Sequence, residues 1–309
     1  MHLGSDHPAQ KHGVAGQLLW QWWQQARQQA QDAAIDPIEV DWLLKAISDV
    51  DSLELRLGTF KQRAVNLGVL SLEELTELWQ QRVEQRVPVQ YLVGSASWRD
   101  LTLKVSPAVL IPRPETELII DLALEAVQHS PRAEQLQQGI WVDMGTGSGA
   151  IALGLAKAFP KAQIYSVDIS GDALAIAREN AHWNGLEQRI TFCQGAWFAP
   201  LAGVKGQVAA LVSNPPYIPT ATVQGLEPEV VNHEPTLALD GGLDGLDAIR
   251  ELAAAAPDYL CSGGLWVAEM MAGQAPAVRA LLEQQGAYTG VQIHADLAGI
   301  ERFALAFRV

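Results

Sequence analysis

Positions 214–217 read NPPY and are separated from the apolar run 208–212 by Ser213 alone. Proline has no N–H and cannot continue a sheet ladder, so the predicted strand must end here. A planar amide or arylamine nitrogen is a poor nucleophile because its lone pair is delocalised. The side-chain oxygen of Asn214 and the carbonyl of Pro215 could accept its N–H groups, while Tyr217 stacks on its plane. These three are the predicted catalytic residues. Pro216 rigidifies the turn and completes the predicted substrate-binding set. The chemistry would depend on position and acceptor geometry, with no strong base.

A glycine-rich stretch, WVDMGTGSGAIALGLA, predicts a strand, a tight loop and a helix. The loop consists of Gly145, Thr146, Gly147, Ser148 and Gly149. Its glycines permit a tight turn and a close approach of the backbone to a ligand. The third glycine comes one residue earlier than in the dinucleotide fingerprint G-x-G-x-x-G, so a different nucleotide ligand is indicated.

Two carboxylates indicate which ligand that is. Asp143 stands two residues before the first glycine, where it could hold an ammonium group. Asp168 ends the next predicted strand, where a carboxylate can bind ribose hydroxyls. A cationic adenosine ligand without phosphates satisfies both positions. We therefore expect S-adenosylmethionine as the cofactor.

Alternating strand and helix patterns from residue 114 onward predict an α/β domain whose parallel sheet is covered on both faces. Helices are expected between the first five strands. The last two are joined by too short a link for a parallel crossover and should form an antiparallel hairpin. The fourth strand should lie beside the glycine-loop strand, which would place Asn214 near the cofactor's methyl group. The predicted strands are 140–143, 163–168, 190–193, 208–212, 264–269, 288–293 and 302–308.

The N-terminal part of the chain has a helical pattern, with helices expected at 16–31 and 38–50 and a capping box formed by Ser71 and Glu74. Pro88 should stop the last helix. We expect three segments: a small all-α helical-bundle domain for substrate recognition, a β-hairpin linker and the cofactor-binding domain. Their predicted limits are 1–88, 89–113 and 114–309.

The composition excludes several function classes. The net charge is −14, and both parts of the chain are acidic, whereas nucleic-acid binders usually have a basic face. No apolar run is long enough to span a membrane, and the polar N-terminus, MHLGSDHPAQKHG, does not resemble a signal peptide. Cys193 and Cys261 are expected to be free, buried thiols, and no metal site is indicated. We expect a cytoplasmic protein, with no direct nucleic-acid or membrane partner.

The chain resembles the bacterial peptide chain release factor glutamine methyltransferases. The resemblance covers residues 86–309 strongly and the helical region more loosely. It rests on VPVQYLVG, SPAVLIPRPETE, DMGTGSGAIAL, SVDIS, NPPYIP, HEPTLALDGGLDGLDAIR and GIER. It implies a seven-stranded, Rossmann-like class I methyltransferase domain after a helical domain that helps to bind the release factor. It further implies transfer of a methyl group from S-adenosylmethionine to the glutamine amide of the GGQ motif in class I release factors. We expect the enzyme to be a monomer.

Carried over by position, the resemblance implies cofactor contacts from the glycine loop, Asp168, Trp197 and Asn214. Positions 214–217 would bind the substrate glutamine. Two positions depart from the family pattern. Ala196 replaces an acid that would reach the adenine amino group. The loss of that one hydrogen bond, worth about 0.5–1.5 kcal/mol, could weaken cofactor binding about tenfold. Met271 stands where a glycine is more usual.

Three other polar residues have open roles. Arg113 could shape the substrate entrance or form a structural salt bridge. Glu269, at a strand end near the site, could be catalytic or a loop-bonding carboxylate. His233 is interpreted as a loop residue, because methyl transfer from a sulfonium needs little prior proton abstraction.

Three alternatives remain open. An adenine-N6 nucleic-acid methyltransferase would use the same NPPY arrangement on a flipped base, although the acidic balance and the missing target-recognition domain argue against it. A ribosomal-protein glutamine methyltransferase shares NPPY but usually differs at IPRPETE. An inactive, cofactor-binding adaptor would explain Ala196 but not the intact motifs.

Overall fold

The computed structural model describes residues 13–309, and they divide into two compact units. The first ends at Gly94 and the second is Ser95–Val309. The polar N-terminal stretch, which was not expected to be a signal peptide, lies outside the described residues except for Gly13.

The first unit is mainly helical, as predicted. Its elements are β1 (Gly13–Ala15), α1 (Gly16–Asp32), α2 (Ile38–Ile47), α3 (Ser52–Leu57), β2 (Ala64–Asn66), α4 (Leu72–Glu84) and α5 (Val89–Val93). The capping box is confirmed, because the Ser71 hydroxyl accepts from the Glu74 amide at 3.1 Å and the Glu74 carboxylate accepts from the Ser71 amide at 2.7 Å. The unit also contains a short antiparallel ribbon of β1 and β2, which the helical pattern did not indicate. Leu19, Phe60 and Trp79 are buried in its core.

The predicted hairpin at 89–113 is shorter than expected. Its strands are β3 (Ser95–Trp98) and β4 (Leu101–Lys104), whereas the preceding α5 belongs to the first unit. Trp98 and Leu103 are buried in the main core of the second unit. The hairpin is therefore a packed part of that unit, because its apolar face is covered.

The second unit alternates strand and helix. After the hairpin come α6 (Leu118–His129), α7 (Ala133–Gln138), β5 (Ile140–Met144), α8 (Ala150–Ala158), β6 (Gln163–Asp168), α9 (Gly171–Trp183), β7 (Ile190–Gln194), β8 (Val208–Ser213), α10 (Thr220–Val223), α11 (Pro228–His233), α12 (Asp247–Tyr259), β9 (Leu260–Glu269), α13 (Ala275–Gln285), β10 (Tyr288–Ala295) and β11 (Glu301–Arg308). All seven predicted strands are present. The helix expected between β7 and β8 is only a short 3₁₀ segment, Ala199–Val204.

The seven strands form one sheet in the order β10-β11-β9-β8-β5-β6-β7. β5, β6, β7, β8 and β9 are parallel, and β10 and β11 form the predicted antiparallel hairpin, with β11 paired to β9. Both faces are buried: Trp141 of β5 lies in one hydrophobic cluster and the next residue, Val142, lies in the other. This alternation is what a strand covered on both faces requires.

The strand register aligns four functional positions. Val167, Met144, Ser213 and Ala268 are partners across β6, β5, β8 and β9. The next residue of each strand is therefore at the same carboxyl edge of the sheet. Along that edge the order is Asp168, Gly145, Asn214 and Glu269. The prediction that the NPPY strand lies beside the glycine-loop strand is confirmed.

Candidate active site

The glycine loop between β5 and α8 needs its glycines for two different reasons. Gly145, Gly147 and Gly149 have φ values of +74°, +52° and +84°, in the left-handed region that favours glycine. A Cβ on Gly149 would lie 3.1 Å from the Cβ of Ala177, so this glycine lets the loop pack closely against α9. A Cβ on Gly145 or Gly147 would meet nothing within 4 Å. Those two positions leave open space for a ligand.

Asp143 lies beneath this loop and is fully buried. One of its oxygens accepts from the Thr146 hydroxyl and from the Ala152 amide, the latter at 3.0 Å. Its Oδ1 has no hydrogen-bond partner among the described residues. Burial raises the pKa of this carboxyl to about 7, against the hydrogen bonds from Thr146 and Ala152. Asp143 thus supports the loop, and its unpartnered oxygen is suited to a positive charge.

Asp168 stands at the end of β6 and is half-buried. Its two oxygens accept from the amides of Gly147 and Ser170, each at 2.9 Å. These bonds fix the carboxylate against the glycine loop. Each carboxylate oxygen can accept twice, so capacity for further hydroxyl groups remains.

A cavity of about 750 Å³ opens at this edge of the sheet. The predicted site residues in its wall are Gly145, Gly147, Asp168, Trp197, Asn214 and Pro216. The other predicted site residues do not line it: Asp143, Thr146, Ser148, Gly149, Pro215 and Tyr217. Segment 235–242 supplies much of the rest of the wall, which the sequence did not indicate.

Every charged residue in the wall of the cavity is acidic, as far as residues 13–309 show. These residues are Asp168, Asp240, Asp247 and Glu251, and within that range no lysine, arginine or histidine lines the cavity. Such a wall attracts cations and repels phosphates. The expected cofactor, with its sulfonium and ammonium groups and no phosphate, suits this charge.

Trp197 follows β7 and has an unusual backbone conformation. Its φ of +45° is in the left-handed region that bulky residues avoid, at a typical cost of about 1–3 kcal/mol. Such strain tends to occur where a side chain is held for function. The neighbouring Ala196 is exposed and also lines the cavity, which is the position where the family pattern has an acid.

Asn214 is held from behind by a residue that the sequence did not single out. Its Nδ2 donates to the Thr116 hydroxyl oxygen at 3.1 Å, and that hydroxyl donates to Glu269 Oε2 at 2.6 Å. The Tyr217 hydroxyl donates to the other oxygen of Glu269 at 3.0 Å. Thr116 lies within IPRPETE, and this membership was the only signal that could have identified it.

Glu269 is the centre of this network and is almost fully buried. Burial raises the pKa of its carboxyl, while the hydrogen bonds from Thr116 and Tyr217 and the charge of Arg302 oppose that shift. Burial and the neighbouring charge of Glu269 raise the pKa of Tyr217 well above its usual range. Tyr217 therefore stays a neutral hydroxyl donor. Glu269 bonds to the NPPY segment and does not line the cavity.

Arg113 forms the salt bridge that the sequence left open. Its Nη2 lies 2.7 and 2.8 Å from the two oxygens of Glu234, whose side chain is 1% exposed. Burial raises the pKa of Glu234, and the charge of Arg113 opposes this. The bridge anchors the start of segment 235–242. His233 does not line the cavity.

Two further expectations concern the rest of the chain. Cys193 and Cys261 are free, as predicted, but half-buried. Within residues 13–309, no helix is long and apolar enough to cross a membrane.

Comparisons with known proteins show the family and the fold of the chain. The family model named methyltransferase small domain matches residues 122–236. The chain is 52% identical to the release factor glutamine methyltransferase of Synechocystis sp., over 95% of this chain and 97% of that protein. It is 47% identical to the protein of the same name from Thermosynechococcus vestitus, over 95% and 99%. A solved structure, the hMettl16 catalytic domain in complex with MAT2A 3'UTR hairpin 6, shares the fold with a TM-score of 0.51. The match covers 76% of this chain and 80% of that chain, at 14% sequence identity. The predicted methyltransferase fold is confirmed.

Proposed function

Because the chain belongs to the release factor glutamine methyltransferase family, we propose that it methylates the glutamine of the GGQ motif in class I peptide chain release factors. One methyl group moves from a sulfonium sulfur to the side-chain amide nitrogen, which loses one proton to solvent. The products are N5-methylglutamine and S-adenosylhomocysteine. The family match implies S-adenosylmethionine use in general, and the assignment to this cavity is our proposal.

Several features support S-adenosylmethionine in the cavity. When bound, this cofactor supplies an electrophilic methyl group. Gly145 and Gly147 leave room for it, and Asp168 would accept from the ribose hydroxyls. Trp197 offers a ring for the adenine, while Oδ1 of Asp143 adds negative charge beneath the loop.

The NPPY segment would hold the substrate amide. Asn214 lines the cavity one strand away from the glycine loop, and its Nδ2 is already engaged by Thr116. Its Oδ1 and the carbonyl of Pro215 would accept the two N–H groups of the glutamine amide. This positions the nitrogen lone pair, which is otherwise delocalised, for attack on the methyl group. Pro216 and Tyr217 would hold the plane of the amide.

The observation that carries the proposal is the alignment of Gly145 and Asn214 at one sheet edge, where both line a cavity whose charged residues, within the described part of the chain, are acidic. A nucleic-acid substrate gains no support from the charge of the chain, which is −14, because phosphates are bound by basic surfaces. We also place the enzyme in the cytoplasm, where release factors act, and regard a single chain as the active unit.

Mass spectrometry of a release factor incubated with the protein and S-adenosylmethionine tests the function. The GGQ peptide should gain the mass of one methylene, with the gain on the glutamine. A release factor with GGQ changed to GGA should gain nothing. Methylation of DNA, of RNA or of a ribosomal protein in place of the release factor would refute the proposal.

A further inference from the structure

Two buried polar side chains lie behind the NPPY segment and outside the cavity wall. Thr116 and Glu269 are only 4% and 1% exposed. They lie 153 residues apart in the chain, because Thr116 precedes α6 and Glu269 ends β9. Burying a hydroxyl and a carboxylate is costly unless both are fully hydrogen-bonded. Such a pair next to a reacting position therefore invites a functional explanation.

We infer that Thr116 and Glu269 act as positioning residues that fix the orientation of the Asn214 side-chain amide. The argument follows the donors and acceptors. Both hydroxyls that reach Glu269 donate to its carboxyl oxygens. Thr116 has a single hydroxyl proton, so its oxygen faces Asn214 as an acceptor. The Asn214 group facing Thr116 must then be the NH2, at 3.1 Å.

The opposite orientation of the Asn214 side-chain amide would remove the acceptor for the substrate amide. With Oδ1 turned towards Thr116, two acceptors would face each other, and the NH2 would point at the incoming substrate. An NH2 group repels the N–H groups of a glutamine amide and cannot accept from them. The Glu269–Thr116 chain disfavours that state and leaves Oδ1 as the free acceptor. This inference rests on the proposed function only for its kinetic consequence.

The inference has a structural test that needs no substrate. In protein labelled with ¹⁵N at asparagine, the side-chain NH2 signals of Asn214 can be assigned by their loss in Asn214→Ala. Thr116→Val removes the hydroxyl at nearly constant volume, and Thr116→Ser keeps it. We expect the hydrogen-bonded proton of Asn214 to lose solvent protection in Thr116→Val and to regain it in Thr116→Ser. Equal protection in all three proteins would overturn the inference, whatever the activity.

The kinetic test measures the consequence. At saturating cofactor, Thr116→Val should lower kcat about threefold to tenfold, the value of one orienting hydrogen bond, without changing cofactor Kd. Thr116→Ser should recover most of the rate. In the Asn214→Ala background, Thr116→Val should cost nothing further, because it acts through Asn214. Additive losses would overturn the inference. If the wild-type protein does not methylate a release factor, the proposed function fails, and the NMR result still decides the orientation.

Discussion

Replacing Asn214 with alanine should separate methyl transfer from cofactor binding. The substitution removes the side-chain acceptor for the substrate amide and the bond to Thr116. It leaves Gly145, Asp168 and Trp197 in the cavity wall. Because Asn214 is only one of several residues in that wall, we expect most cofactor contacts to survive.

The expected magnitudes differ accordingly. Loss of one preorganised group that acts on the reacting centre typically costs about 10²–10³ in rate, or about 3–4 kcal/mol. Loss of one ordinary contact to the cofactor is worth about 0.5–1.5 kcal/mol, which is at most about tenfold in Kd. We therefore expect the single-turnover rate of Asn214→Ala to fall by a factor at least tenfold larger than the fall in its cofactor affinity. This difference corresponds to about 1.4 kcal/mol or more of stabilisation that acts on the transition state and not on cofactor binding.

Two measurements on the same protein samples decide this. Calorimetric titration with S-adenosylmethionine gives the cofactor Kd, and rapid-quench single turnovers on a release factor give the rate of transfer. Asn232→Ala is a matched control, because Asn232 is exposed and does not line the cavity. It should leave both quantities unchanged. If rate and affinity fell by the same factor in Asn214→Ala, Asn214 would be chiefly a cofactor ligand, and the argument from acceptor geometry would be wrong.

Three other outcomes are expected. Burial raises the pKa of Asp143 to about 7, so raising the pH from about 6 to about 8 converts this carboxyl to the anion. Binding of the cationic cofactor, measured by calorimetry, should then tighten several-fold. Asp143→Asn should flatten that pH dependence. Ala196→Asp should lower the cofactor Kd by up to about tenfold. Ala199→Asp is the control, because Ala199 is exposed and does not line the cavity, and it should leave the Kd unchanged. Equal effects of the two substitutions would mean that the added charge alone is responsible. A fragment that begins at Val87 should still bind cofactor but methylate a release factor with a much lower kcat/KM. The kcat/KM for a short GGQ peptide should change little. An unchanged kcat/KM for the release factor would exclude recognition by the helical region.

The sequence by itself determined the architecture of the catalytic unit. The alternation of strand and helix segments identified all seven strands, and the short link before β11 indicated the antiparallel hairpin. These features depend on local residue chemistry: which residues alternate, where glycine permits a turn and where proline ends a ladder. For the same reason, NPPY and the glycine loop could be assigned to two strand ends, and known α/β topology then made them neighbours.

Only the tertiary structure decided what surrounds those motifs. Thr116 lies 98 residues from Asn214 and 153 from Glu269, and Arg113 lies 121 from Glu234. No local pattern encodes contacts between residues so far apart in the chain.

Burial also depends on the whole fold. The sequence placed Asp143 as a direct cofactor contact, whereas packing encloses it beneath the loop and raises its pKa through desolvation. The acidic charge of the wall likewise comes from separate parts of the chain, because Asp168 ends β6, Asp240 lies in segment 235–242, and Asp247 and Glu251 belong to α12. Strand ends are set by neighbours in sequence, but the electrostatic environment of a side chain is set by everything that packs around it.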